Sequence, residues 1–316
     1  MIMKPGSNEY VMQGIKKKCK QLKAEDKNVM FVMDETKLKQ RLLFTSGSKY
    51  VTGFASDSCG SRTSEIAGSV LVGMIIVAIN SSFKQPVSYH FSKAGFNADG
   101  LKKIVQETIK DLVDAGLSVV GVVTDQGKAN KTALDSLRNE TEGGKEGVFF
   151  KIAGYDKKIY ILSDITHLIK TSRNCFMGDW SDWFRKVSEV DKNNWNYEGN
   201  TIEINGKTAY WRDVIDLFSY CLNKNEPTNV TEEHIFPSSS NKMKVCFASQ
   251  VFSSTVADAL TTLANKHPHK YPTAADTAEV LRLFDDAFDH MNSSNLKKKT
   301  KSSTVADAMF HKHLAI

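Results

Sequence analysis

Three apolar segments of this chain each run directly into an aspartate: Phe31 to Asp34, Gly121 to Asp125 and Ile159 to Asp164. Short apolar runs of this kind are typical of buried strands. Two carboxylates about 4 Å apart repel by roughly 4 kcal/mol at an effective dielectric near 20, so a cluster of them indicates a site for divalent cations. For any one of these aspartates alone, a loop that begins where a strand ends explains the residue equally well.

Composition narrows the class of protein only modestly. The length of 316 residues suits one large domain or two smaller ones, and the net charge of +6 favours a polyanionic partner weakly. The five cysteines never occur in a CxxC spacing, which argues against a disulfide framework and a zinc knuckle. The longest apolar run, 69–80, is too short to span a membrane and has no signal-peptide features. We therefore expect a cytosolic or nuclear protein with no membrane association.

The order of predicted elements indicates an α/β fold. Strands are predicted at 28–33, 50–55, 69–80, 86–91, 117–124 and 158–163, with helices at 8–24, from Asn97 or Asp99 to 116, and at 126–138. The strand at 86–91 is expected to continue the sheet or to lie at its edge. Apart from it, the order is βββαβαβ, that of the ribonuclease H-like mixed sheet, in which three antiparallel strands are extended by two parallel ones. The catalytic acids of that fold lie on its first strand and at the end of its fourth, where Asp34 and Asp125 fall.

Beyond Asp164 the pattern becomes mainly helical. Helices are predicted at 165–174, near 211–222, at 242–266 and at 276–291, with a stretch containing Trp180, Trp183 and Trp195 between the first two. The expected domains are a basic N-terminal helix (1–24), a ribonuclease H-like catalytic core (25–175), a helical, GTP-binding-like insertion domain (176–295) and a basic tail (296–316), for which truncation is one interpretation.

Five motifs resemble the P element transposases and their THAP-domain-containing relatives. In chain order they are DETK (34–37), TDQGKAN (124–130), HLIKTSRN (167–174), NKMKVCFASQVFS (241–253) and FDDAFDHMN (284–292). The resemblance extends from about residue 10 to 295, with the motifs in the family's order. It implies a DNA transposase catalytic region, in which Asp34 and Asp125 bind Mg²⁺ or Mn²⁺ for DNA strand cleavage and strand transfer.

The resemblance also implies that the helical insertion binds GTP. The corresponding positions are Lys244, Val245, Phe288, Asp289 and Asn292. An aspartate can accept hydrogen bonds from guanine N1 and N2, an aromatic ring can stack on the base, and a lysine can meet a phosphate. An ordinary amphipathic helix explains the same residues equally well, because the chain has no GxxxxGK[ST] loop.

Contacts with DNA are predicted on the helix that follows Asp164. His167, Lys170 and Arg173 lie at helical spacing, and the two basic side chains suit phosphate contacts. A satisfied surface or core pair is the simpler explanation for His167 and Lys170. The implied partners are transposon-end and target DNA, GTP and further copies of the chain in a homo-oligomer, in the nucleus.

The chain departs from the family pattern in two respects. It offers no Cys and His at the spacing of the zinc-coordinating THAP domain, and after Asn292 its only acid is Asp307. The family's third catalytic acid follows the insertion, so we expect an incomplete acidic site that binds Mn²⁺ weakly and cleaves DNA poorly. The alternatives are a non-catalytic, domesticated or decayed transposase that acts as a nucleotide-binding or protein-interaction module, and an unrelated ribonuclease H-like nuclease.

Overall fold

The computed structural model of this protein describes residues 5–45, 50–57, 61–78, 83–181 and 197–292. The chain divides into two compact units, the first ending at Asp164 and the second beginning at Ile165. The first unit contains a mixed sheet and the second is mainly helical. Among the described residues, no helix is long and apolar enough to span a bilayer.

Most strands of the first unit belong to one sheet. The strands are β1 (Gly6–Ser7), β2 (Asn28–Lys37), β3 (Leu43–Thr45), β4 (Tyr50–Thr52), β5 (Phe54–Ser56), β6 (Arg62–Ile66), β7 (Ser69–Val77), β8 (Lys84–Ser92), β9 (Ser118–Thr124), β10 (Phe149–Ile152) and β11 (Tyr155–Ser163). The sheet order is β1-β8-β7-β2-β9-β11-β10. Strands β2, β7 and β8 are antiparallel neighbours, and β9 and β11 extend the sheet in parallel with β2. The predicted ribonuclease H-like arrangement is confirmed.

The described part of this unit contains three α-helices, α1 (Glu9–Cys19), α2 (Ala98–Asp114) and α3 (Lys128–Asn139), and a short 3-10 helix at Glu25–Lys27. Helix α2 crosses from β8 to β9. The Asn97 side chain caps its N-terminus by accepting a hydrogen bond from Gly100 N at 2.8 Å, and the chain leaves the helix through Gly116, whose φ of +97° favours glycine. The helix packs with Phe31 and Val122 of the sheet in one core. Its buried apolar face comprises Leu101, Ile104, Val105, Ile109 and Leu112.

The first unit differs from the prediction mainly at strand ends. Strand β2 continues beyond Met33, because residues 34–37 remain paired with β7, where Asp34 lies opposite Val72. Asp34 therefore lies within a strand rather than after one. The predicted strand at 50–55 is divided between two hairpins, β3–β4 and β5–β6, which lie outside the main sheet. Strand β10, which was not predicted, pairs antiparallel with β11 at the sheet edge.

The second unit packs its helices around an aromatic core. Its elements are α4 (Ile165–Met177), β12 (Thr201–Ile204), β13 (Lys207–Tyr210), α5 (Trp211–Lys224), α6 (Glu232–Ile235), α7 (Ser239–Lys242), α8 (Val245–Val251), α9 (Ser254–Lys266) and α10 (Ala274–Asn292). The ring of Phe252 stacks on that of Phe284, with centroids 4.4 Å apart, and Phe176 meets Trp211 edge-on at 5.3 Å. Trp183 and Trp195, from the predicted tryptophan-containing stretch, lie outside the described residues.

Two local features of the second unit differ from the prediction. The single helix predicted at 242–266 is interrupted, and Ser253 caps the new helix α9 by accepting a hydrogen bond from Val256 N. The hairpin β12–β13 was not predicted, although its turn residues Asn205 and Gly206, with φ of 54° and 76°, form the Asn-Gly pair that tight hairpins favour.

His90 is a buried polar residue on β8. Only 3% of its surface is exposed, and neither ring nitrogen has a hydrogen-bond partner among the described residues. The ring of Phe96 lies edge-on at a centroid distance of 6.3 Å. Burial favours the neutral imidazole and lowers the pKa of His90 to about 4.

This pKa makes the stability of the first unit depend on pH. Between the ordinary value of 6.5 and about 4, the unfolded chain binds more protons than the folded chain, so the free energy of unfolding falls as the pH falls. The fall attributable to His90 approaches about 3 kcal/mol. We expect His90→Leu to make the free energy of unfolding less dependent on pH. The change His269→Leu, at an exposed histidine, should leave that dependence unchanged. Hydrogen exchange of the amides in β7 and β8, followed as a function of pH, measures the stability of the first unit. A pH dependence in His90→Leu equal to that of the wild type would contradict the prediction.

Candidate functional site

Asp34 and Asp125 occupy matching positions along two adjacent parallel strands, Asp34 within β2 and Asp125 directly after the end of β9. The register of β2 and β9 places Val32 opposite Val123, and each aspartate follows its valine by two residues. Side chains alternate along a strand, so both carboxylates lie on the valine face. Neighbouring strands are about 4.8 Å apart. The two side chains therefore project side by side, with Asp34 exposed and Asp125 half-buried.

Asp125 is held by two hydrogen bonds to the same oxygen. Its Oδ1 accepts one from Gly127 N at 2.9 Å and one from Asn130 Nδ2, in the first turn of α3, at 2.6 Å. A Cβ atom at position 127 would lie 2.9 Å from this Oδ1, so glycine permits the close approach. Among the described residues nothing donates to Oδ2, which is the oxygen available to a ligand. Sequence reasoning missed Asn130, although it closes the TDQGKAN motif.

Asp164 extends the row of aspartates to a third strand. Its backbone N donates to Thr124 O at 2.8 Å, which continues the pairing of Ser163 with Thr124 and places Asp164 next to Asp125 in register. Within the described ranges, however, no group of three or more His, Cys, Asp or Glu side chains is placed to hold a metal ion. The candidate metal site therefore comprises two carboxylates, those of Asp34 and Asp125.

The residues predicted to bind GTP lie on, or directly before, two helices of the second unit that pack together, α8 and α10. Lys244 precedes α8 and is exposed, whereas Val245 begins the helix and packs partly against the core. Phe288 packs against the same core from α10, and the adjacent Asp289 is exposed. Asn292 ends α10. Each half of the predicted pocket thus combines a half-buried apolar side chain with an exposed charge.

Asp285, in the FDDAFDHMN motif, has a structural role. Its Oδ2 accepts hydrogen bonds from Ser254 N at 2.8 Å and from Ser254 Oγ, which ties the first residue of α9 to α10. The stacking of Phe252 on Phe284 occurs beside this contact. Part of this motif therefore stabilises the helix pair.

The burial of Arg173 is incompatible with the predicted DNA contact. Arg173 is 0% exposed, and its guanidinium donates to the carbonyl oxygens of Lys242, at 3.1 Å, and Asn241. Burial lowers its pKa to about 10. A side chain without exposed surface cannot reach a phosphate, so Arg173 instead fixes the segment that leads to Lys244. His167 and Lys170 are half-buried on the same helix, α4.

Two family models match the chain. They are the TNP-like, RNase H N-terminal domain over residues 3–138 and the TNP-like, GTP-binding insertion domain over residues 189–304. The Drosophila melanogaster transposable element P transposase is 27% identical over 249 residues, covering 78% of this chain and 29% of that protein. The human DNA transposase THAP9 is 25% identical over 268 residues, covering 82% of this chain and 27% of that protein. The chain spans less than a third of the length of either relative.

A solved structure, the Drosophila P element transposase strand transfer complex, contains a chain of the same fold. The TM-score is 0.70 at 21% sequence identity, and the match covers 99% of this chain and 63% of that chain. Fold and sequence together define a ribonuclease H-like domain followed by a helical, GTP-binding-type insertion domain. The chain belongs to the family of P element-type transposases.

Both sites have donor atoms that suit the ligands the family implies. Carboxylate oxygens are the preferred ligands of Mg²⁺ and Mn²⁺, and Asp34 and Asp125 supply them from adjacent strands. At the second site, the exposed carboxylate of Asp289 suits the N–H groups of guanine and the ammonium of Lys244 suits a phosphate.

The buried guanidinium of Arg173 is expected to stabilise the second unit. Arg173→Ala removes the donor to two backbone carbonyls and leaves a cavity in the core, so we expect a loss of about 3 kcal/mol in the free energy of unfolding. Lys170→Ala, one turn earlier on the same helix, should cost less than about 0.5 kcal/mol. Tryptophan fluorescence during urea unfolding reports on this unit, because all four tryptophans follow Ile165. Equal stabilities of the two variants would contradict the role assigned to Arg173.

Proposed function

We propose that this chain is the catalytic region of a P element-type DNA transposase, which cleaves DNA strands at transposon ends and joins the resulting 3′-hydroxyl to target DNA. The observation that carries the proposal is the placement of Asp34 and Asp125 side by side in a ribonuclease H-like sheet. Divalent cations, when bound there, would activate a water or a 3′-hydroxyl and stabilise the leaving oxygen. Family membership makes DNA the expected polymer.

The chain's own residues have distinct roles in this proposal. Asp34 offers its carboxylate from a strand that stays paired with β7, so its backbone is fixed. Asp125 offers Oδ2 while Gly127 and Asn130 hold Oδ1. Asn130 is therefore a positioning residue. Half-buried His167 and Lys170 are proposed to contact DNA, and the domain assignments 25–175 and 176–295 remain predictions.

Two convergent carboxylates bind cations less firmly than three. We therefore propose weak Mn²⁺ binding and impaired strand cleavage by this chain. The alternative is that the protein is a non-catalytic transposase derivative that acts as a nucleotide-binding or protein-interaction module. Binding of GTP without any metal-dependent cleavage of DNA would favour that alternative.

The metal site is tested by calorimetric titration of the purified chain with Mn²⁺. We expect Asp34→Asn and Asp125→Asn each to weaken binding at least about tenfold, because each removes one of two anionic ligands. Asn130→Ala should weaken it about threefold, since the carboxylate remains but loses its orientation. Asp156→Asn, an exposed aspartate on β11, is the matched control and should bind as the wild type does. Unchanged affinity in both aspartate variants would refute the site.

Cleavage itself is a separate measurement. Incubation of the same variants with DNA carrying transposon ends and Mn²⁺ measures strand cleavage, which we expect to be weak in the wild type and absent in Asp34→Asn. Robust cleavage that disappears in Asp34→Asn would support the catalytic assignment and contradict the proposed impairment. Cleavage that persists in Asp34→Asn would overturn the catalytic assignment.

We also propose that the second unit binds GTP through Lys244, Val245, Phe288, Asp289 and Asn292. The proposal is supported by the match to the GTP-binding insertion domain and by the packing of α8 on α10. We further propose that the protein acts as a homo-oligomer on DNA in the nucleus, by analogy with the Drosophila P element transposase, one structure of which is a strand transfer complex.

Guanine recognition by Asp289 has a direct test. We expect Asp289→Ala to weaken GTP binding about tenfold or more, because a charge-assisted hydrogen bond to the base contributes roughly 1.5 to 3 kcal/mol. We expect ATP, whose base lacks the N1–H and N2–H donors of guanine, to bind weakly to both proteins. Glu203→Ala removes one exposed negative charge elsewhere in this unit and serves as the control. Equal GTP affinity of the wild type and Asp289→Ala would exclude this pocket.

A further inference from the structure

An exposed apolar hairpin follows the strand that carries Asp34. Strands β3 and β4 pair with each other, and among the described strands neither joins the main sheet. Phe44 lies opposite Val51 on one face of the hairpin, and Leu43 lies opposite Thr52 on the other. All four side chains are exposed, Phe44 by 68%. Because an isolated two-stranded hairpin is at best marginally stable in water, its exposed apolar side chains indicate a surface that a partner covers.

The segment around the hairpin is basic. Residues 36–56 include Lys37, Lys39, Arg41 and Lys49 but no Asp or Glu. Lys39 and Arg41 are exposed, and neither has an ion-pair partner in the part of the chain that the structure describes. A second copy of the chain docked through the same hairpin would bring like charges together. The charge of the segment is instead complementary to that of a nucleic acid.

The hairpin begins close to the proposed metal site. Strand β2 stays paired with β7 beyond Asp34, and Leu38 N then donates a hydrogen bond to Gly68 O at 2.7 Å. With a rise of about 3.4 Å per residue, the chain leaves the sheet about 14 Å beyond Asp34. Where the chain returns from the hairpin, Gly53 O accepts a hydrogen bond from Ala67 N at 2.8 Å. Both ends of the hairpin segment are therefore fixed to the first unit.

An exposed aromatic ring beside basic side chains is typical of surfaces that bind unpaired nucleic acid. Every base has a face on which such a ring can stack, and lysine and arginine contact the phosphates. In an intact duplex the bases stack on one another, so the ring finds a free face only where a base has left the stack. We propose that the β3–β4 hairpin binds unpaired DNA beside the proposed cleavage site, with Phe44 stacked on a base and Lys39 and Arg41 on phosphates. This inference rests on the proposed transposase function, which makes DNA the expected polymer.

The test is fluorescence anisotropy of the full chain with two labelled DNAs, a blunt duplex and the same duplex with one end splayed into unpaired strands. Divalent cations are left out and the ionic strength is held constant, so the result does not depend on the metal site. We expect the wild type to bind the splayed DNA at least about fivefold more tightly, which is the effect of stacking one base on an aromatic ring. Equal affinities of the wild type for the two DNAs would overturn the proposal.

Variants of the hairpin then separate stacking from charge. Phe44→Leu keeps an apolar side chain without the aromatic face, so it should lose the preference for splayed DNA and bind the duplex as the wild type does. Phe44→Tyr keeps the face and should keep the preference. Tyr10→Ala removes a similarly exposed aromatic side chain, on α1, and is the matched control. Lys39→Ala and Arg41→Ala should weaken binding of both DNAs and each reduce the salt slope by about one.

Two further results would overturn the role of the hairpin. One is a wild-type preference for splayed DNA in Phe44→Leu. The other is unchanged DNA binding by this variant together with altered self-association in sedimentation, which would assign the surface to a second copy of the chain. Either result leaves duplex binding and the Mn²⁺ titration as separate tests of the transposase assignment. A wild type that binds neither DNA would contradict both the hairpin proposal and the choice of DNA as the polymer.

Discussion

The register between β2 and β9 is the constraint on which the first unit depends. A slip of either strand by one residue would move its aspartate to the opposite face of the sheet, which packs against α2. The register is fixed by Phe31 and Val122, which are both fully buried in the core. Gly121 contributes as well, because a Cβ atom there would lie 2.5 Å from the Cε of Met30. The same packing that stabilises the sheet thus places the two carboxylates together.

The second unit relies on buried polar groups to join its helices. Asp213 of α5 accepts hydrogen bonds from Thr273 and Thr277, which secures the start of α10, and its burial raises the pKa of this carboxyl. Arg173 similarly joins α4 to the chain segment that precedes α8. These bonds connect residues that are at least sixty positions apart in the sequence. These hydrogen bonds can therefore form only when the helices that they join have packed together.

Those features of the fold that depend on local periodicity and on the order of strands could be predicted from the sequence. The α2 face, the order of the sheet and the position of Asp125 after β9 follow from local patterns of apolar residues. Features that depend on long-range pairing were not recoverable. The extension of β2 through Asp34 results from pairing with β7, and the burial of Arg173 results from packing against a segment far along the chain. The β12–β13 hairpin is different, since its Asn-Gly turn was a readable local signal.

The extension of β2 has a consequence for ionic selectivity. Asp34 is anchored by a backbone that remains hydrogen-bonded in the ladder with β7, and Asp125 is tethered through one oxygen. In the proposed metal site, backbones held in this way would resist the wider spacing that a larger ion needs. Ca²⁺ requires more ligands at longer distances than Mg²⁺ does. A long strand in the middle of the sheet would thereby favour the smaller ion at the proposed site.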